Sequence, residues 1–369
     1  MRFAPSAGRG CSRRALLTAF PLLSASAAVR TGTVFPPEVV VYSDAATEFP
    51  VTRLTSPAHA SHLPKNGSRI VSSKGNYLVF TSDRTGTLQA CALDLKSGRS
   101  RLLTQAAQLA PDTLTLSSDE RDIVYFDDGE LIQTRIGNQR QRSLFSIPDG
   151  WNRGEGLAIS QDGGHAVFVE RSESRWRIRL LDLKKQKASV VAEESERLHD
   201  PIPRPGRQSL LYRKGDRELW TIGYDGKRRR KLPVAAGTPG PARWSRDGVS
   251  LFYLSFPPQR TELNALRVHY ADNGHDRLVA KTTQFVAFGT NADASVFVGA
   301  SGGRASPHII LLLRAAGREL TLCEHLSSKP SAASPVFAPN SRQIFFESDR
   351  DGKPAIYTMM VDKLVKSVK

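Results

Sequence analysis

Short apolar runs recur along the whole chain: YLVF, DIVYF, HAVFV, SLLY, SLFYL, SVFVG and QIFF. Each is too short for a helix and rich in β-branched and aromatic residues, so each predicts a strand. Each also follows a polar turn, at Lys74-Gly75, Ser118-Asp119, Asp162-Gly163, Pro205-Gly206, Asp247-Gly248, Asn291-Ala292 and Pro339-Asn340. The turns are spaced by about 45 residues, the period of a propeller blade. A second apolar run and then a basic one, RSRLLT, RSLFSI, ASVVA, RRKLP, DRLVA or LTLCEH, complete six of the units. The seventh unit ends near Val361 without that last strand. Its counterpart stands at the other end of the chain, where Val51-Thr-Arg-Leu-Thr55 is similar to Ser100-Arg-Leu-Leu-Thr104. The pattern therefore predicts an all-β fold, a seven-bladed β-propeller of four-stranded blades. An N-terminal strand closes the last blade, which also protects the sheet edges. No long helix and no second domain is predicted.

The first residues follow a different pattern. Arg13-Arg14 stand directly before the apolar run ALLTAFPLLSASAA, and Ala25-Ser26-Ala27 supplies small residues for cleavage. This predicts a signal peptide of the twin-arginine type over 1–27, and a mature protein that is periplasmic or secreted. A lead-in segment, 28–48, precedes the propeller at 49–369. No other apolar run approaches the roughly 20 residues of a membrane span, so no membrane association is expected after cleavage.

The formal net charge of +16 points to an acidic partner. Lys227-Arg-Arg-Arg-Lys231 falls on a hairpin and an outer strand, which makes it a solvated blade edge; no nucleic-acid partner is expected. Three cysteines, Cys11, Cys91 and Cys323, have no CxxC spacing, and the last two are expected to be buried and free. Gly299-Ala-Ser-Gly-Gly303 fits G-x-S-x-G, but it lies between two strand patterns, where a hydrolase elbow needs a strand, a sharp turn and a helix. It is read as a hairpin turn. His59 and His62 share a loop with no third ligand near them in sequence.

The phrase APNSRQIFFESDRDGKPAIY resembles the short repeat of TolB-type, WD40-like propellers. A narrower resemblance runs over nearly the whole mature chain, to the oligogalacturonate lyases. It rests on FPVTRLT near the start, His62 before the first blade, DPIPRP at Asp200–Pro205, and the closing FAPN and SDRDGKPAIY. That resemblance implies a seven-bladed propeller that cleaves short, unsaturated galacturonides by β-elimination in pectin degradation. It further implies a histidine base and a manganese ion held by three histidines and a glutamine. A base must remove a weakly acidic proton beside a carboxylate, and positive charge must steady that carboxylate as it becomes enolate-like.

In this chain the corresponding positions carry other residues. The base position falls on Pro241, three residues before Trp244. The metal positions fall on Ala287, Lys329, Ala332 and Ser334. No catalytic residue, metal ligand or cofactor is therefore expected. The residues expected to bind an acidic sugar are His62, Arg204, His199 and Arg243, the last two near channel-facing strand starts. Arginine suits this role because its planar fork pairs with both oxygens of a carboxylate. The leading reading is an exported, carbohydrate-binding propeller that holds an acidic, uronate-containing saccharide without the family's metal-dependent elimination. The alternatives are an active lyase with a rearranged site and a TolB-like scaffold for a protein partner.

Overall fold

The structure is a computed structural model that describes residues 30–366, apart from 65–67, 236, 260 and 304. The export signal read at 1–27 lies outside the described residues. Seven antiparallel sheets make up the described residues, five of them paired in simple meander order and the first and last joined by strands from the N-terminal segment. The seven blades and their order are those the apolar pattern predicts. The N-terminal strand Pro50–Arg53 pairs with Ala355–Met360 and completes the last blade. The seam is reinforced on both sides. The Leu54 amide donates to the Ile356 carbonyl at 2.7 Å, and Arg53 meets Asp351 at 2.8 Å.

Two blades exceed four strands. Val34–Phe35 adds a fifth, outer strand to the first blade, and Val40–Ser43 does the same for the last. Both lie in the lead-in segment, where Pro36 and Pro37 interrupt the pattern. Edge strands this short take their register from a partner rather than from their own periodicity.

The second strand of each blade is buried along most of its length, as in Tyr77–Ser82 and Ser250–Phe256. Blades stack face to face, so these strands are covered on both sides and read as continuous apolar runs instead of alternating ones. Aromatic pairs bridge neighbouring blades, Phe126 against Phe168 at 5.2 Å and Phe252 against Phe297 at 5.0 Å, both edge-on.

The turn that opens each second strand has one repeated construction. In the third and fifth blades Ser160 and Ser245 donate through Oγ to Asp162 and Asp247, and accept from the amides of His165 and Ser250. Gly163 and Gly248 take the positive φ this turn demands, +74° and +70°. At Gly248 glycine is required twice over, because a Cβ there would lie 2.2 Å from the Pro205 carbonyl oxygen of the fourth blade. These turns fix where the inner strands end, and the inner strands face the axis.

Candidate functional site

The ends of the inner strands from six blades surround an axial cavity of about 320 Å³. That lies at the lower end of the range of small-molecule sites, about 300–1,000 Å³. Its polar lining includes Arg69, Gln161, Arg243 and Thr290, with Trp244 and Phe337 among the apolar walls; among the described residues no Asp or Glu contributes. Prolines at 201, 203, 239 and 241 sit in the inner strands of the fourth and fifth blades. Inner strands are sheet edges, where a missing N–H costs no ladder bond, and each of these two strands carries a register shift at its prolines.

Arg243 is the penultimate residue of Thr238–Trp244, so it stands at the end of its strand and not near the start as the sequence reading had it. Its Nε donates to the Phe288 carbonyl of the next blade at 2.9 Å. No carboxylate among the described residues pairs with it. The side chain is half-buried and lines the cavity; desolvation alone pushes its pKa down to about 10. Arg69 shares this condition: burial lowers its pKa, and its Nη1 donates to the Ser117 carbonyl at 3.2 Å. Trp244 adds a buried Nε1 donor with no hydrogen-bond partner.

The other three expected residues lie elsewhere. Arg204 follows the inner strand of the fourth blade. Its Nε donates to the Gly248 carbonyl and its Nη2 to Asp272, both at 2.6 Å, and its guanidinium lies 5.3 Å from the Trp244 ring centroid. His199 is buried with both ring nitrogens engaged, Nδ1 at 3.1 Å from Asp200 and Nε2 at 3.0 Å from the Gly215 carbonyl. His62 places Nδ1 at 2.9 Å from Glu347, whose second oxygen accepts from the Leu63 amide at 3.1 Å. Glu347 is buried, and the His62 side chain is 34% exposed. Arg204 thus stands beside Trp244, the residue that follows Arg243 in its strand. His62 and His199 stand nearer the other end of the inner strands.

Sequence reasoning missed Arg69 and Gln161 in the cavity and Glu347 beside His62. The usable signal was distance from the turn. Arg243 stands two residues before Ser245 and Arg69 three before Ser72, which brings both to the axis.

Three of the positions implied by the family resemblance occupy equivalent places in their blades. Pro241, Ala287 and Ser334 each stand four residues before the residue that opens their blade's turn, Ser245, Asn291 and Ala338. Ala287 is buried in the hydrophobic cluster of the sixth and seventh blades, and none of the three lines the cavity. Lys329 caps the short 3₁₀ turn Pro330–Ala333, which holds Ala332. None of these residues offers an imidazole or amide to a metal. Among the described residues no group of three or more His, Cys, Asp or Glu is placed to hold an ion. The residues present do not fit manganese.

The Gly299–Gly303 motif is not the hairpin turn expected of it: Gly299–Ser301 are the end of a strand paired on both sides, and only Gly302 and Gly303 lie beyond it. Ser301 ends the strand Val296–Ser301, wholly buried, and its carbonyl lies 2.9 Å from His325 Nε2. Cys91 and Cys323 are buried and free.

Fold and cavity together define a seven-bladed propeller with a cationic pocket on its axis. No protein-family model matches the chain. It is 24% identical to the oligogalacturonide lyase of Pectobacterium atrosepticum, over 89% of this chain and 98% of that protein. It is also 24% identical to the oligogalacturonate lyase of Dickeya dadantii, over 87% and 95%. A solved oligogalacturonate lyase in complex with manganese superposes with a TM-score of 0.85 at 22% identity, over 90% of this chain and 98% of that one. The chain has the fold of that lyase and is similar in sequence to these enzymes along nearly its whole length.

Proposed function

We propose that this protein is an exported propeller that binds an acidic, uronate-containing saccharide in its axial cavity without the metal-dependent elimination of its relatives. The observation that carries this reading is Arg243, a half-buried cation with no anionic partner among the described residues, in a cavity where none of those residues lends a carboxylate to the lining. An uncompensated charge in such a place is costly, and a ligand carboxylate is the natural counter-charge. Arg69 supplies a second positive group, and the unpartnered Trp244 Nε1 a neutral donor. Proline at the base position has no proton acceptor to offer, and the alanines, lysine and serine at the metal positions do not suit manganese.

Calorimetric titration with unsaturated digalacturonate tests binding, and the double-bond absorbance of the sugar tests turnover, each with and without manganese. Saturable binding without turnover is expected. Manganese-dependent turnover would return the protein to the lyases.

One observation favours a second reading, an active lyase with a rearranged site. The His62–Glu347 pair resembles the base and orienting acid of other proton-transfer sites, since Glu347 can hold Nδ1–H and leave Nε2 as acceptor. His62 lies near the opposite end of its inner strand from the cavity arginines, so base and cation are separated. Turnover without metal that is lost in His62→Gln would establish this reading over the first.

A further inference from the structure

The axial cavity does not end at the axis. Gln161 also lines a second cavity of about 400 Å³, whose walls include His165, Arg204, Arg207, Gln208 and Tyr224. Arg204, Arg207 and Gln208 in turn line a third, of about 370 Å³, which reaches Arg228 and Arg230 on the outer hairpin of the fourth blade. The three spaces share walls in series and run from the channel across the turns of the third and fourth blades to the rim.

Charge along this path is one-sided. Arg69 and Arg243 stand at its inner end, Arg204 and Arg207 midway, Arg228 and Arg230 at its outer end. Among the described residues Asp162 is the sole acidic one in the three linings, and it is held by the Ser160 hydroxyl and the Gly164 amide. Asp272, outside the linings, occupies Arg204. Arg207, Arg228 and Arg230 are exposed and form no ion pair with any described residue. Midway, the His165 and Tyr224 rings lie 5.0 Å apart and give the path an aromatic wall; His165 Nδ1 is buried without a partner.

We propose that these spaces form one radial groove for an acidic oligosaccharide longer than a dimer. The chain's end sits in the axial cavity, its middle runs along the aromatic wall, and its outer carboxylates meet Arg207, Arg228 and Arg230. Spaced guanidinium forks match a chain that carries one carboxylate per sugar. The placement of the chain's end rests on the reading of the axial cavity given above; the groove rests on its own residues.

The test is calorimetric titration of the full chain and of an Arg207→Ser/Arg228→Ser/Arg230→Ser variant with digalacturonate and with hexagalacturonate. All three substitutions are at exposed positions, and the fold should tolerate them. The hexamer is expected to bind wild-type protein on the order of tenfold more tightly than the dimer at low salt, which three exposed ion pairs allow. Added salt should erode that gain. The variant should lose the gain and keep its dimer affinity. Equal affinity for dimer and hexamer in the wild type would overturn the groove and leave the axial reading intact. Hexamer binding that depends on the three arginines, with no dimer binding, would support the groove and remove the axial reading. Hexaglutamate binding as tightly as the hexamer would overturn the assignment to a sugar chain.

Discussion

Replacing Arg243 by methionine should stabilise the ligand-free protein and abolish its response to an acidic sugar. The magnitude follows from the environment of the guanidinium. Its pKa falls from 12.5 to about 10 through desolvation alone. The group is charged at pH 7 in both folded and unfolded chains, so the depressed value is a cost to the native state of about 3 kcal/mol. Methionine removes that cost at similar volume but also removes the Nε bond to the Phe288 carbonyl, worth about 1–2 kcal/mol. The net expectation is a gain of about 1–2 kcal/mol, in line with other replacements of buried charge by apolar residues. Thermal unfolding in dilute buffer should therefore rise by a few degrees. Saturating digalacturonate should invert the order. At a hundredfold excess over its dissociation constant it adds about 2.7 kcal/mol to the wild type and nothing to the variant. Thermal scans of both proteins, with and without the sugar, read the whole pattern. A variant destabilised by about 2 kcal/mol or more would show that Arg243 is a strut between blades, and the reasoning would fail.

Three further outcomes follow from the same contacts. Val51→Asp puts a charge on a fully buried position in the closing strand and should cost more than about 4 kcal/mol, read as loss of soluble protein or of a cooperative urea transition. Glu347→Ala leaves the Leu63 amide without its acceptor and should cost about 2–3 kcal/mol by urea titration, whereas Glu347→Gln keeps an oxygen there and should cost less. His325 and His269 are buried, and desolvation lowers both pKa values below the ordinary 6.5. Below that value the unfolded chain takes up protons that the native state refuses. The stability held above pH 6.5 should thus drain away as pH falls toward the lower native values. Urea midpoints measured from pH 7.5 down to 5 should decline, and His325→Gln should flatten the slope.

The architecture was readable because its signals are local. Each blade announces itself by a turn with a fixed internal hydrogen-bond pattern and by a second strand buried on both faces. Even the closing strand could be found, since VTRLT repeats the phrase of another outer strand. The fifth strands could not be found, because Val34–Phe35 and Val40–Ser43 are defined by their partners. The site was harder for a related reason. Arg204 and His199 have the residue types of a binding site, yet one is tied to Gly248 and Asp272 and the other to Asp200 and Gly215. The partners of Arg204 lie 44 and 68 residues away, and even those of His199, 1 and 16 residues away, are set by how the strands pair, which no window of sequence shows. Arg243 was named, but what sets it apart is the absence of an anionic partner among the described residues, which only the packed blades reveal.

The seam between the two ends of the chain has a consequence for synthesis. Six blades consist of neighbours in sequence and can form as the chain emerges, but the ring is joined by contacts such as that of Ile356 with Thr55, 301 residues apart. A ribosome adding about 5–20 residues per second leaves the early strand waiting tens of seconds for its partner. Throughout that interval Val51 and the faces beside it have nothing to cover them. A product cut short anywhere before Ala355–Met360 can never cover them. Completion of the chain is thus written into the ring itself, and fragments identify themselves to proteases by the gap they leave.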